Sequence, residues 1–248
     1  MGFVINSLIV VPTSAEEIIT ISTLEYPPWT GENLKFNGFV NHVITEAFQQ
    51  EGYAVKYTYL PWKRAVTETT NGQYAALSYV YQNKDWEIDF YLSHSISVEK
   101  IVFFHLKSKP MKDWETLNDL KNYRIGVTRG YTYTKEFWKA AELKQLNVDV
   151  TDTDIQNFKK LLNGRIDIFP SGLMNGKFIL QTHFEVNTSE LISFNPNPLS
   201  KTTGHLAFPK SRNDSEKLQR IFNQGLDTLK KEGLYVKFLN DLSAGKYN

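Results

Sequence analysis

Residues 53–80 read YAVKYTYLPWKRAVTETTNGQYAALSYV and contain the pattern that decides the fold. Tyr53 to Leu60 places its aromatic residues on one face, which is typical of a strand. Pro61 suits the first position of a helix, and Gly72 suits the end of that helix. Tyr74 to Val80 is apolar and predicts the next strand. A strand, a helix and a strand joined by short turns predict a right-handed crossover in an α/β sheet.

The same alternation extends in both directions from this stretch. On the N-terminal side, Ile18 to Leu24 predicts a strand, and a helix is expected from Gly38 to Gly52. A second α/β unit follows, with further helices at the C-terminus. The elements predicted for this unit are a short helix over 113–120, strands over 124–127, 148–151 and 166–169, a helix after Gly130 and a helix over 155–162 that Thr153 can cap. Strands are also predicted over 101–106, 191–194 and 206–208, and C-terminal helices over 215–231 and 234–242. The chain therefore crosses between two units twice, near 104–107 and near 206–210, which implies a hinge on one side and a cleft on the other.

Composition excludes several classes of function. The chain has 248 residues, of which 41% are hydrophobic and 14% aromatic, enough for a substantial core and for aromatic binding surfaces. Its 28 basic and 27 acidic residues give a net charge of +1 without a basic run, so nucleic acid is not an expected partner. The absence of Cys excludes disulfides and thiolate chemistry. No cofactor or metal site is predicted, because the five His residues lack a metal-ligand spacing.

The N-terminus resembles a secretory signal. An apolar run from Phe3 to Pro12 is followed by small residues up to Ala15, so we expect residues 1–15 to be the remnant of a signal peptide. An N-terminal strand is the alternative. A signal peptide would place the mature protein in the periplasm.

The helix after Pro61 contains a local contradiction. Lys63 and Arg64 fall in its first turn, where the helix dipole disfavours positive charge. Such departures are frequent at functional sites, so Trp62 and Arg64 are expected to face a cleft and to bind a small ligand, with Arg64 meeting a negative charge. The alternative places Trp62 in the core and Arg64 in solvent.

The order of motifs resembles the type II periplasmic solute-binding proteins, in particular the bacterial extracellular solute-binding family 3, which includes receptors for polar amino acids. The resemblance covers about residues 18–242. The motifs that carry it are Tyr26-Pro27-Pro28-Trp29, Gly38-Phe39, Leu60-Pro61-Trp62-Lys63-Arg64-Ala65, Leu117-Asn118-Asp119-Leu120-Lys121, Leu162-Asn163-Gly164-Arg165-Ile166-Asp167, residues 204–210 and Leu229-Lys230-Lys231-Glu232-Gly233-Leu234-Tyr235.

The resemblance implies a two-lobed α/β fold in which each lobe is a mixed sheet flanked by helices. Lobe 1 would comprise residues 18–104 and 207–248, and lobe 2 residues 108–203. It implies a monomeric, non-enzymatic receptor that captures a small polar or anionic ligand between the lobes and presents it to a membrane permease of an ABC transporter. The alternatives are a dehydratase-like enzyme on the same fold and the ligand-sensing module of a signalling system.

Two departures from the amino-acid receptors bear on the ligand. Those receptors have an Arg after the third strand that binds the ligand carboxylate, where this chain has Lys84. They also have an Asp that binds the ligand ammonium, where this chain has Ser171-Gly172. These departures leave open whether the ligand is a standard amino acid. The candidate ligand-binding residues are Tyr26, Trp29, Trp62, Arg64, Tyr79, Tyr81, Arg129, Tyr131, Thr132 and Ser171. Arg129, Tyr131 and Thr132 would lie at the start of a helix, where free backbone amides favour the binding of anions.

Overall fold

The computed structural model describes residues 17–131 and 133–247, so the predicted signal segment and Thr132 lie outside the described residues. The fold is mixed α/β, as the sequence predicts. The strands are β1 (Glu17–Thr23), β2 (Tyr53–Tyr59), β3 (Ala76–Tyr81), β4 (Phe90–Leu92), β5 (Ser97–Leu106), β6 (Arg124–Thr128), β7 (Asn147–Thr151), β8 (Phe169–Gly172), β9 (Ile192–Phe194) and β10 (Ser200–Pro209).

Helices cover the faces of these strands. They are α1 (Phe39–Gln50), α2 (Trp62–Thr70), α3 (Trp86–Asp89), α4 (Lys135–Glu142), α5 (Asp154–Leu162), α6 (Leu173–His183), α7 (Val186–Ser189), α8 (Ser215–Lys231) and α9 (Leu234–Ser243). Among the described residues, no helix combines the length and the apolar content needed to cross a membrane.

The strand order explains how the two units are joined. The main sheet runs β2-β1-β3-β10-β5-β8, with β1 parallel to both β2 and β3, as the crossover pattern predicts. The long strands β5 and β10 are antiparallel to each other, and β10 also pairs with β3 while β5 pairs with β8. These two strands therefore connect the first unit to the second. The parallel pair β6-β7 belongs to the second unit.

Separate hydrophobic cores lie on either side of β5 and β10. The first is built on β1, α1 and the C-terminal helices α8 and α9, with Phe39, Phe48 and Phe222 fully buried. The second unit has two clusters, around Phe137 on α4 and around Phe158 on α5. This division gives the molecule two lobes. The lobe boundaries at 104–108 and 203–207 stay a prediction.

Several predicted elements differ from the structure. The strand expected only over 206–208 is the ten-residue β10, because its polar half pairs with β5 along Ser200–Gly204. The helix expected over 113–120 is a single 3-10 turn, Leu117–Leu120. The strand expected over 166–169 is shifted to β8. Helix α6 was not predicted from the sequence.

Candidate functional site

Glu99 lies at the centre of a polar and aromatic cluster beside the two crossing strands. Its side chain is on β5 and only 1% exposed. The Lys100 backbone N–H donates to Oε1 over 3.1 Å, and the carboxyl also receives the backbone N–H of Leu173 at the start of α6. Burial raises the pKa of Glu99 to about 7, although these neutral donors act in the opposite direction. A substantial fraction of this carboxyl is therefore protonated at neutral pH.

Two tyrosines of this cluster reach it from different segments. The Tyr81 hydroxyl, at the end of β3, lies 3.0 Å from the Tyr26 hydroxyl and 3.4 Å from Glu99 Oε2, and can donate to either. Their rings meet edge to face at 6.4 Å. Burial raises the pKa of both hydroxyls, so both are neutral donors at physiological pH.

Tyr79 and Trp29 form the inner wall of the cluster. Their rings are 6.0 Å apart, and the Tyr79 hydroxyl lies 3.1 Å from Ser97 Oγ. The Tyr79 ring occupies the space over Gly204 of β10, where a Cβ atom would overlap it. The packing of this wall therefore requires a glycine at position 204.

The Trp29 indole N–H faces Glu99 closely enough to favour the charged form of this carboxyl, but has no acceptor within hydrogen-bonding distance.

A second buried carboxyl, Asp154, comes from the other unit. It is the first residue of α5 and is 4% exposed. The Thr128 hydroxyl at the end of β6 donates to Oδ1 over 2.6 Å, and the Ser171 hydroxyl of β8 donates to Oδ2 over 2.8 Å. The Tyr131 side chain also interacts with this carboxyl. Burial raises the pKa of Asp154, and the three hydroxyls oppose this shift.

Tyr26 connects the two carboxyls electrostatically. The negative charges of Glu99 and Asp154 both raise the pKa of its hydroxyl. Adjacent residues of β8 contact the two carboxyls: a Cβ on Gly172 would lie 3.2 Å from Glu99 Oε1, and the Ser171 hydroxyl donates to Asp154. Among the hydrogen bonds and ion pairs of the described residues, no Lys or Arg side chain reaches either carboxyl. The cluster is therefore a hydroxyl-rich and aromatic surface that contains two acidic groups without a hydrogen-bonded cation among the described residues.

The structure brings together six of the ten sequence-predicted site residues. These are Tyr26, Trp29, Tyr79, Tyr81, Tyr131 and Ser171. Trp29 and Tyr79 belong to the first hydrophobic core as well, so the core interpretation and the site interpretation both apply to them. Thr132 lies outside the described residues.

The side chains of Trp62, Arg64 and Arg129 have their contacts with residues outside this cluster. The Arg64 side chain is 64% exposed and its Nε donates to Glu68 Oε1 over 2.6 Å, one helical turn on. Trp62 is partly exposed and packs edge to face on Trp86 at 5.8 Å. Arg129 is exposed and pairs with Asp152 at 2.8 Å. A role for these three side chains in ligand binding stays a prediction.

Two local expectations are corrected by this geometry. Glu68 supplies the charge compensation that Arg64 was expected to lack, so the basic first turn of α2 has a local explanation. Helix α4 begins at Lys135 after the N-cap Thr134, so Arg129 and Tyr131 precede it and do not form a helix start. The backbone N–H groups of Arg129 and Tyr131 are therefore not those of the first turn of α4.

Sequence reasoning missed both buried carboxyls. Thr153 caps α5 as the sequence predicts, and its side chain accepts from the Gln156 N–H over 3.2 Å. The position of Asp154 beside this cap gave no indication that its side chain is buried. Glu99 lies before the predicted start of its strand. The signal that could have revealed it is the alternation in β5, where Ser97 and Glu99 are buried and Val98 is exposed. Within the described residues, no group of three or more His, Asp or Glu side chains could hold a metal ion.

Comparisons with known proteins agree with this architecture. The sequence profile described as bacterial extracellular solute-binding proteins, family 3, matches residues 18–241. No curated protein matches the sequence significantly.

Solved structures with the same fold have low sequence identity to this chain. A histidine kinase sensor domain with similarity to periplasmic binding proteins has a TM-score of 0.67 at 16% identity, covering 92% of this chain and 96% of its own. An ancestral arginine-binding protein bound to arginine has a TM-score of 0.66 at 18% identity, covering 92% and 98%. The ancestral amino acid-binding protein AncCDT-1, a precursor of cyclohexadienyl dehydratase, has a TM-score of 0.64 at 15% identity, covering 91% and 94%. At these identities the likeness establishes the two-lobed fold.

Proposed function

We propose a function for this chain, which belongs to family 3 of the bacterial extracellular solute-binding proteins. The protein is an extracytoplasmic receptor that captures a small polar solute between its lobes and presents it to a membrane permease of an ABC-type transporter. It acts in the periplasm, without chemistry of its own.

The observation that carries this proposal is the cluster formed by side chains of both units. Glu99 on one side and Asp154 on the other are buried, and the half-buried Tyr26 meets Tyr81, whose hydroxyl contacts Glu99. The adjacent residues Ser171 and Gly172 of β8 contact Asp154 and Glu99, respectively. Buried polar groups gathered with aromatic rings at the junction of two lobes are typical of a ligand site. Since β5 and β10 connect the lobes, closure around a solute would be a hinge motion of these strands.

The two units are also linked outside the crossing strands. The Asn175 side chain at the start of α6 donates from Nδ2 to the Pro27 carbonyl over 3.0 Å. Met174 of the same helix packs against the first core. These contacts are of the kind that form or break when lobes move, and they support a closure mechanism.

A thermal-shift screen tests the receptor function. A solute at 100 times its Kd adds about 2.7 kcal/mol to the free energy of unfolding. For a chain of this size, that corresponds to a rise in Tm of roughly 5–10 °C. The library should contain amino acids, amines, carboxylic acids, sugars and nucleosides. Failure of every class to raise Tm or to change tryptophan emission would contradict the receptor function.

A dehydratase-like activity is the second candidate, favoured by one specific observation. A buried carboxyl with a pKa of about 7, such as Glu99, has the acidity expected of a general acid at neutral pH. The same fold also occurs in AncCDT-1, which is described as a precursor of cyclohexadienyl dehydratase. Incubation with prephenate-type acids, followed by chromatography, tests this candidate, and turnover that disappears in the Glu99→Gln variant would support it.

A sensory role uses the same ligand site. The histidine kinase sensor domain that shares this fold is the observation behind it. The receptor and sensory roles differ in the partner, so the identity of the genes beside this one separates them: a permease and ATPase favour transport, and a kinase favours signalling.

A further inference from the structure

The charge balance of the buried cluster carries an inference about the ligand. Glu99 and Asp154 are almost completely buried, and all of their hydrogen-bond partners among the described residues are neutral hydroxyl or N–H groups. A buried carboxylate that has no cation beside it is costly, which is why burial raises the pKa of both groups. A positive charge placed next to them would remove this cost.

The aromatic residues around the carboxyls have the properties of a cation site. Tyr26 and Tyr81 lie on the Glu99 side, and Tyr131 lies on the Asp154 side. Tyrosine rings attract cations through their negative faces, and the attraction is stronger where water is excluded. The cluster thus combines two acidic side chains with tyrosine rings.

A second, independent feature is a polar group aimed into the cluster without a partner. The Trp29 indole N–H is buried, with the side chain 2% exposed, and it has no acceptor within hydrogen-bonding distance although it faces Glu99. A buried donor without an acceptor lowers stability. It would be satisfied if the Glu99 carboxyl, fully ionised, moved towards it when a ligand binds.

We propose that the solute is a small organic cation whose protonated amine is bound by the Glu99 and Asp154 carboxylates beneath tyrosine rings, and that the site requires no carboxylate on the ligand. This inference rests on the proposed receptor function and specifies its ligand class.

The basic residues of the chain are placed consistently with this ligand class. Arg64 and Arg129 are exposed and already paired with Glu68 and Asp152. Lys84 is exposed in the turn that follows β3. None of these three side chains has a hydrogen bond or an ion pair with the buried cluster. A ligand carboxylate would therefore enter a site that presents two like charges to it.

Matched ligand pairs test the proposal. Tm is measured at pH 8, where Glu99 is ionised. Each pair compares an amine with the amino acid that has an additional carboxylate: agmatine with L-arginine, putrescine with L-ornithine and tyramine with L-tyrosine. Succinate and L-glutamate are the anions of the panel. We expect at least one amine to raise Tm by several degrees and its carboxylated partner to raise it less. If only amino acids, anions or neutral solutes raise Tm, the receptor function survives and the cation proposal is overturned. If no compound of the wider library raises Tm, the receptor function itself fails.

Neutral variants then locate the charge. Calorimetry gives the Kd of the tightest-binding amine of the panel for the Asp154→Asn variant and for the Glu99→Gln variant. The two variants are measured separately, so the test can proceed with one of them if the other does not fold. Each should weaken binding at least tenfold. The exposed substitution Asp113→Asn is the matched control, with an expected change below twofold. An unchanged Kd in a folded Asp154→Asn or Glu99→Gln variant would overturn the assignment of that carboxyl.

Discussion

Replacement of Glu99 by Gln should change the pH dependence of stability of the ligand-free protein. Burial raises the pKa of this carboxyl from 4.5 to about 7. A carboxyl whose pKa is raised on folding stabilises the folded protein at pH values below the pKa that it has in the unfolded chain. This stabilisation is lost as the pH rises through the pKa that it has in the folded protein. The difference between these two pKa values lowers the free energy of unfolding by about 3 kcal/mol between pH 4.5 and pH 8. The amide of the Glu99→Gln variant cannot ionise, so the variant should not lose this amount.

Urea unfolding of wild type and variant at pH 5 and pH 8 measures the effect. The stability of the variant relative to wild type should be higher at pH 8 than at pH 5 by up to about 3 kcal/mol, or roughly 6–12 °C in Tm for a chain of this size. The exposed Glu185→Gln substitution serves as the control and should show no such pH dependence. If Glu99→Gln had the same effect at both pH values, the carboxyl would not be desolvated and the account of the cluster would be wrong.

Three further substitutions test separate parts of the structure. Gly204→Ala should lower the free energy of unfolding by about 1–3 kcal/mol, because a Cβ there overlaps the Tyr79 ring; a change below about 0.5 kcal/mol in urea unfolding would contradict that packing. Arg64→Ala should leave Tm nearly unchanged, because its exposed ion pair is weak, and should change the Kd of an amine less than twofold. A tenfold loss of affinity would instead restore the sequence-based assignment of Arg64 to the ligand site. Asn175→Ala removes a hydrogen bond between the units, so it should lower Tm by a few degrees in the ligand-bound protein, and an unchanged Tm would exclude a role in closure.

The fold could be predicted from local patterns because its elements carry strong local signals. The alternation in residues 53–80 corresponds to β2, α2 and β3 with the expected parallel pairing. The amphipathic helix predicted over 215–231 is α8 with the same bounds. Helix α6 was missed because it packs between neighbours and lacks a clear apolar stripe. The polar half of β10 was missed because pairing with β5, a contact distant in sequence, makes it a strand.

The candidate site was predicted only in part, for a related reason. Aromatic residues at strand ends, such as Tyr81, are visible in the sequence. The burial of Asp154 depends on hydroxyls that are 26 and 17 residues away in the chain. It also depends on tertiary packing that brings β6 and β8, from two different sheets, beside α5. An Asp at the first position of a helix normally faces solvent and stabilises the helix dipole. Sequence alone therefore favours the capping interpretation, and Arg64 drew attention because its partner Glu68 was not considered.

Proton release on binding tests the central claim most directly. Glu99, with a pKa of about 7, is about half protonated at pH 7 in the free protein, and an organic cation bound beside it would ionise it fully. Calorimetric titration of the tightest-binding amine at pH 7, in phosphate and in HEPES, gives the number of protons exchanged from the difference in heat. We expect release of about half a proton per ligand. Zero release, or proton uptake, would contradict the claim that a buried carboxyl meets the charge of the ligand.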